Sequence, residues 1–188
     1  MKRGGAVVFP TDTVTGLGCM ATDARAVRGL RKLKRREAGK PLVLFVNSIP
    51  QAEKFTGHLP LPVRKLLKSA WPGAFTAVLP LKRRLPRGVG RGKTVGIRIP
   101  GHPAARALVR RLGAPLATTS ANLRGKPPSP DALAAARSWG GRVAAVPGES
   151  GRVPSTVTDL TKWPPVVLRK GRISVRALER MVRKAEKS

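Results

Sequence analysis

The sequence has 188 residues with no tyrosine, four phenylalanines, three tryptophans, one cysteine and two histidines. Each shortage removes a class of chemistry. Single-strand binders stack bases on aromatic platforms, and this chain has few to offer. One cysteine and two distant histidines cannot build a structural zinc site. The lone Cys19 has no partner for an internal disulfide and reads as a small buried hydrophobe. No stretch approaches the ~20 apolar residues of a membrane span. The apolar run after Lys2 and Arg3 is too short for a secretory signal. A cytoplasmic protein without a membrane role is expected.

Acidic residues are the other shortage. Nine Asp and Glu stand against 38 Lys and Arg, a formal net charge of +29. Such a surface attracts polyanions and raises their on-rates. The basic residues are spread along the whole chain, which points to non-specific affinity for RNA or DNA rather than to one dedicated patch.

What is present suits one domain. The apolar fraction is 41%, ordinary for a globular core of this length. Apolar, β-branched runs predict strands near 6–9, 41–46, 75–79, 94–99, 114–118, 142–146, 155–160 and 166–169. Helical spacing lies between several of them. Asp23 is placed to cap a helix through residues 24–36, and 62–71 has helical spacing. A helix over 102–113 can end at Gly113. Ser129-Pro130 opens another at 130–139, and Ser174 can cap the last. Strands alternating with helices predict an α/β sheet. The strands clustered between 142 and 169 without helices predict that it is partly antiparallel.

Several segments carry polar groups at strand or helix ends. Phe9 to Gly18, read FPTDTVTGLG, follows a strand with hydroxyls and glycines, although Pro-Thr-Asp-Thr is also an ordinary turn. Leu33 to Leu42, read LKRREAGKPL, places Lys34 and Arg36 near a helix end, where an ammonium and a guanidinium suit a polyphosphate or carboxylates. Taken alone it reads as a solvated basic helix face. Pro115 to Gly125, read PLATTSANLRG, delivers Thr118, Ser120 and Asn122 to the C-terminal end of a buried strand, where open α/β sheets bind ligands. Ser120 and Asn122 share one side if the strand stays extended. Arg98 stands inside an apolar strand, VGIRIPGHP, and either holds a carboxylate or faces solvent. PSTVTDL at 154–160 is a further hydroxyl-rich strand.

In this order and spacing, PTDTVTGLG, LKRREAGKPL, WPGAFT, VGIRIPGHP, TTSANLRG, SPDAL and PSTVTDL resemble the YrdC-like threonylcarbamoyl-AMP synthases over Gly5 to Arg172. The resemblance implies an open twisted mixed α/β sheet with helices and a basic concave face. It implies one domain over 1–188 without the second C-terminal domain of larger members. The implied reaction joins L-threonine, bicarbonate and ATP into threonylcarbamoyl-adenylate with release of pyrophosphate. A downstream transferase complex uses that product in t6A modification of tRNA. The implied catalytic residues are Lys34, Arg36, Ser120 and Asn122. Pro10, Thr11, Arg98 and His102 are implied at the threonine end. Thr118, Ser155 and Arg169 join Lys34, Arg36, Ser120 and Asn122 around ATP. Mg²⁺ would be carried by ATP, with no metal held by protein ligands alone. The chain departs from the family at Thr15, where Tyr or Phe is usual, and at Glu37, where Pro is common. The competing reading is a non-catalytic module of the same fold that binds double-stranded RNA or tRNA.

Overall fold

The structure, a computed structural model, describes residues 5–35 and 40–187. Among these the chain runs β1 (Val7–Phe9), β2 (Gly16–Met20), α1 (Ala24–Leu33), β3 (Val43–Phe45), α2 (Ile49–Thr56), α3 (Leu61–Ala70), β4 (Phe75–Pro80) and β5 (Thr94–Arg98). It continues with α4 (Pro103–Leu112), β6 (Leu116–Ser120), α5 (Ala132–Arg137), β7 (Ala144–Ala145), β8 (Thr156–Asp159), β9 (Val166–Arg169) and α6 (Val175–Lys187). The strands form one sheet in the order β7-β1-β2-β6-β3-β5-β4-β8-β9. The pairs β1/β7, β3/β5 and β4/β8 are parallel, and the other neighbours are antiparallel. This is the mixed α/β sheet that the sequence predicts.

Local chemistry sets the helix ends. The Asp23 carboxylate accepts from the amides of Arg25 and Ala26, so two orphan donors of α1 are satisfied; such caps contribute about 1 kcal/mol. Gly113 ends α4 at φ +62°, a conformation that favours glycine. Ser174 Oγ accepts from the Ala177 amide at the start of α6.

The structure corrects four expectations. Residues 16–20 form a strand that was not among those expected; pairing on both edges, with β1 and β6, overrides the low strand propensity of its two glycines. Helix α2 was not expected; Ser48 caps it through the Gln51 amide, and a proline sits in its first turn. The helix read from Pro130 begins instead at Ala132, capped by Asp131 through the Leu133 amide. The strands read between 142 and 169 do not all lie together, because β7 closes one edge of the sheet while β8 and β9 form the other.

Strand alternation divides the core. Val8, Leu17, Cys19, Leu44, Ala77, Ile97 and Ala117 belong to a large cluster that also holds the apolar faces of α1, α2, α3, α5 and α6. Val7, Phe9, Phe45 and Leu116 point the other way and pack on Ala105 and Val109 of α4. One face of the sheet is therefore covered broadly, and the other by a single helix. Cys19 lies wholly inside the larger cluster. Burial, with repulsion from Asp23, pushes its thiol up to about 12. Native protein should resist alkylation by iodoacetamide at about pH 8, because the thiolate is the reactive form. Denaturant should release one reactive thiol. Stoichiometric labelling of native protein, followed by mass spectrometry, would contradict this packing.

Candidate active site

The sheet face that α4 leaves open carries the site. Register places Gly16 beside Ser120 and Gly18 beside Thr118, Val43 beside Thr118, Phe45 beside Arg98 and Val78 beside Gly96. These residues share one face, as side chains on paired positions must. Glycines and threonines leave it low, and a cleft of about 250 Å³ opens there. Thr11, Thr13, Gly16, Phe45, Thr76, Arg98, Thr118, Ser120, Ser155 and Arg169 are among its walls.

Arg98 organises the cleft. Its side chain is only 3% exposed, and Nη2 lies 2.7 Å from Asp12 Oδ1. Nε donates to the Gly73 carbonyl at 2.8 Å and Nη1 to Thr13 Oγ1 at 2.7 Å. The guanidinium also lies 5.4 Å from the Phe45 ring centroid. Burial pulls its pKa below the ordinary value, and Asp12 opposes that pull. Asp12 Oδ1 accepts from the Gly101 amide as well.

The turn between β1 and β2 is internally bonded. Thr11 Oγ1 donates to the Val14 carbonyl and accepts from the Thr13 amide. Thr11 and Thr13 are buried although both are polar. Arg172 Nη1 donates to the Asp12 carbonyl at 2.8 Å. Across the cleft, Arg169 donates twice to the Ser155 carbonyl and once to its hydroxyl, which lies 2.8 Å from Thr76 Oγ1.

Lys34 is the C-cap of α1. Its ammonium donates to both the backbone carbonyl and Oδ1 of Asn122. Ser120 Oγ donates to the same Oδ1 at 2.5 Å. Asn122 Nδ2 gives its protons to the Leu123 and Lys126 carbonyls. The Asn122 amide is thus saturated, and it joins Ser120 in the cleft to Lys34 beyond it. Lys34, Lys32, Arg35, Arg124 and Arg142 line a basic hollow of about 790 Å³ with Trp139.

The structure therefore gathers Thr11, Arg98, Thr118, Ser120, Ser155 and Arg169 in one cleft, with Lys34 and Asn122 attached through Ser120. β6 ends at Ser120, so Asn122 reaches its neighbour from the following turn rather than from an extended strand. Pro10 is buried beside Gly148 and is not among the cleft residues. His102 is also absent from them; its Nδ1 caps α4 by accepting from the Ala104 amide. Arg36 lies outside the described residues. Sequence reading gave no role to Asp12, Thr13, Thr76, Ser150 or Arg172. For Asp12 a signal exists, since a buried arginine needs a carboxylate and this chain has few. For Thr76 the signal is its place between inward Phe75 and Ala77.

Among the described residues, no helix is long and apolar enough to cross a membrane, and no three His, Cys, Asp or Glu side chains cluster as metal ligands.

Fold and cleft together define a class of mixed α/β domains with a hydroxyl- and arginine-lined hollow on one sheet face. The chain belongs to the Sua5/YciO/YrdC family, whose model, described as "Telomere recombination", matches residues 1–171. It is 38% identical over 186 residues to a threonylcarbamoyl-AMP synthase of Pyrococcus abyssi, covering 97% of this chain and 55% of that protein. It is 40% identical over 163 residues to a threonylcarbamoyl-AMP synthase of Thiobacillus denitrificans, covering 85% of this chain and 87% of that protein. The structure of P. abyssi Sua5 complexed with L-threonine matches with a TM-score of 0.89 at 38% identity, over 96% of this chain and 54% of that one. E. coli YciO matches with a TM-score of 0.82 at 30% identity, over 94% and 88%. The chain thus spans about half the length of the relatives from P. abyssi and Bacillus subtilis.

Asp12→Ala would leave a buried guanidinium without its counter-ion, and should destabilise the fold by about 3 kcal/mol. Adding Arg98→Met should recover much of that loss, because the apolar side chain needs no partner. Urea denaturation of both variants checks this. A loss below about 1 kcal/mol in Asp12→Ala would show that the pair does not hold the turn.

Proposed function

We propose that this chain is a threonylcarbamoyl-AMP synthase, a nucleotidyl-transfer enzyme that uses L-threonine, bicarbonate and ATP. The observation that supports it most is the joining of two groups of residues. Thr11 and Arg98 share a cleft with Ser120, and Ser120 reaches Lys34 through Asn122. Relatives bearing that enzyme's name, and one complexed with L-threonine, support the same reading.

In this reading the amino acid lies toward Thr11 and Arg98. The threonine amine attacks bicarbonate to give a carbamate, with loss of water. A carbamate oxygen then attacks the α-phosphorus of ATP; the new O–P bond forms as the bond to the pyrophosphate oxygen breaks. No protein nucleophile takes part. The protein supplies position and charge, the two terms that dominate phosphoryl and nucleotidyl transfer. Lys34 neutralises phosphate charge, and Asn122 holds Lys34 against Ser120. Arg36 is proposed beside Lys34, and Thr118, Ser155 and Arg169 on the nucleotide side. Asp12 Oδ1 is engaged by Arg98 and the Gly101 amide. Mg²⁺ would be held by the ATP phosphates and would shield their charge. The product would pass to a transferase complex that modifies tRNA. A net charge of +29 suits contact with that RNA.

The reading is tested by pyrophosphate release from Mg-ATP with threonine and bicarbonate omitted in turn. Release should require both. Lys34→Ala should lower kcat by about a hundredfold or more, the scale set by loss of one transition-state contact, with an unchanged thermal melt. Release that is equally fast without threonine would make the protein a different nucleotide hydrolase. No release in the full mixture would favour the RNA-binding module.

A further inference from the structure

We infer that Thr15 and Ser150 form a latch that positions Thr11, which makes Thr15 a positioning residue for the amino-acid end of the cleft. The assignment of that end to an amino acid rests on the function proposed above, while the latch itself rests on geometry alone.

Thr15 is completely buried. Its neighbours Val14 and Gly16 line the cleft, and Thr15 does not. Its hydroxyl donates to the Ser129 carbonyl at 2.5 Å, lies 3.3 Å from the Pro130 carbonyl, and sits 2.9 Å from Ser150 Oγ. Ser150 Oγ accepts the Thr11 amide proton at 3.0 Å. The Ser150 amide donates to the Pro130 carbonyl at 2.8 Å, and the Gly151 amide to the Thr11 carbonyl at 3.0 Å. One hydroxyl thus sits where three separate segments meet: the turn at 11–15, residues 129–131, and the loop at 148–151.

The path onward reaches the cleft. Thr11 Oγ1 lies 3.0 Å from Thr13 Oγ1, and the latter accepts from buried Arg98. Thr11 can hold its place only while its backbone does. Close packing fixes that place further, since a Cβ at Gly151 would fall 2.7 Å from the Asp12 carbonyl oxygen and 2.8 Å from that of Thr13. No side chain at 151 could wedge the loop away without moving the turn. Thr15 matters here as a hydroxyl in a sealed space. Valine has its shape but would leave the latch without its central oxygen.

Calorimetric titration with L-threonine and with ATP separately tests this, on Thr15→Val, Thr15→Ser, Ser150→Ala and the double variant Thr15→Val/Ser150→Ala. Thr15→Val and Ser150→Ala should each weaken threonine binding about tenfold and leave ATP binding within about twofold, the effect of losing roughly one buried hydrogen bond. Thr15→Ser should bind both ligands as the wild type does. The double variant should be no weaker than the weaker single, because both act through Thr11. Unchanged threonine affinity in the single variants would overturn the inference, and so would a parallel loss of both ligands. Ser150 is partly exposed, so Ser150→Ala decides if Thr15→Val does not fold. Amide hydrogen exchange at Thr11 separates the latch from the functional reading. If wild-type protein binds no threonine, the amino-acid assignment fails, and faster exchange at Thr11 in Ser150→Ala still sustains the latch. Unchanged exchange removes it.

Discussion

A guanidinium buried inside an apolar strand is the constraint on which this site depends. Removing such a charge from water costs several kcal/mol unless a counter-ion and hydrogen bonds replace the solvent. Arg98 obtains all of them from outside its strand: Asp12 and Thr13 from the turn after β1, and Gly73 from the loop before β4. Satisfying Arg98 therefore fixes the turn that carries Thr11. Asp12 then reaches the Gly101 amide, and its own carbonyl receives Arg172. A group that would be a liability in an ordinary core becomes the point to which four stretches of chain are tied.

The remainder of the cleft follows from strand period. Inward positions of β1, β2, β6, β3, β5 and β4 feed the large core, and the intervening positions form the opposite face. On that face Gly16, Gly18, Gly96, Thr76 and Thr118 are small, so α4 covers only the part that bears Val7, Phe9, Phe45 and Leu116. Low side chains leave a hollow. Hydroxyls and two arginines give it polarity, which suits a ligand that carries carboxylate or phosphate.

Much of this was legible in the residues. Strand runs such as FTAVL and TVGIRI combine β-branched residues with alternation, and Asp23 stands before a helical pattern with the chemistry of a cap. Ser120 and Lys34 were legible as polar groups at element ends. The rest depended on tertiary partners. GLGCM alternates glycine with buried Leu17 and Cys19, a period-two signal that glycine's low strand propensity concealed. His102 Nδ1 caps α4 through the Ala104 amide, a contact that the motif around it does not reveal. The links from Thr15 to Ser150 and from Arg98 to Asp12 span 135 and 86 positions, and no local pattern encodes them.

A crystal structure of this chain with L-threonine and a non-hydrolysable ATP analogue is the sharpest test of the proposed site. The proposed function predicts the amino acid against Thr11 and Arg98 and the phosphates along Ser120 and Lys34, with the Arg98–Asp12 pair intact. Threonine bound away from that cleft, or phosphates held without Lys34 and Ser120, would contradict it.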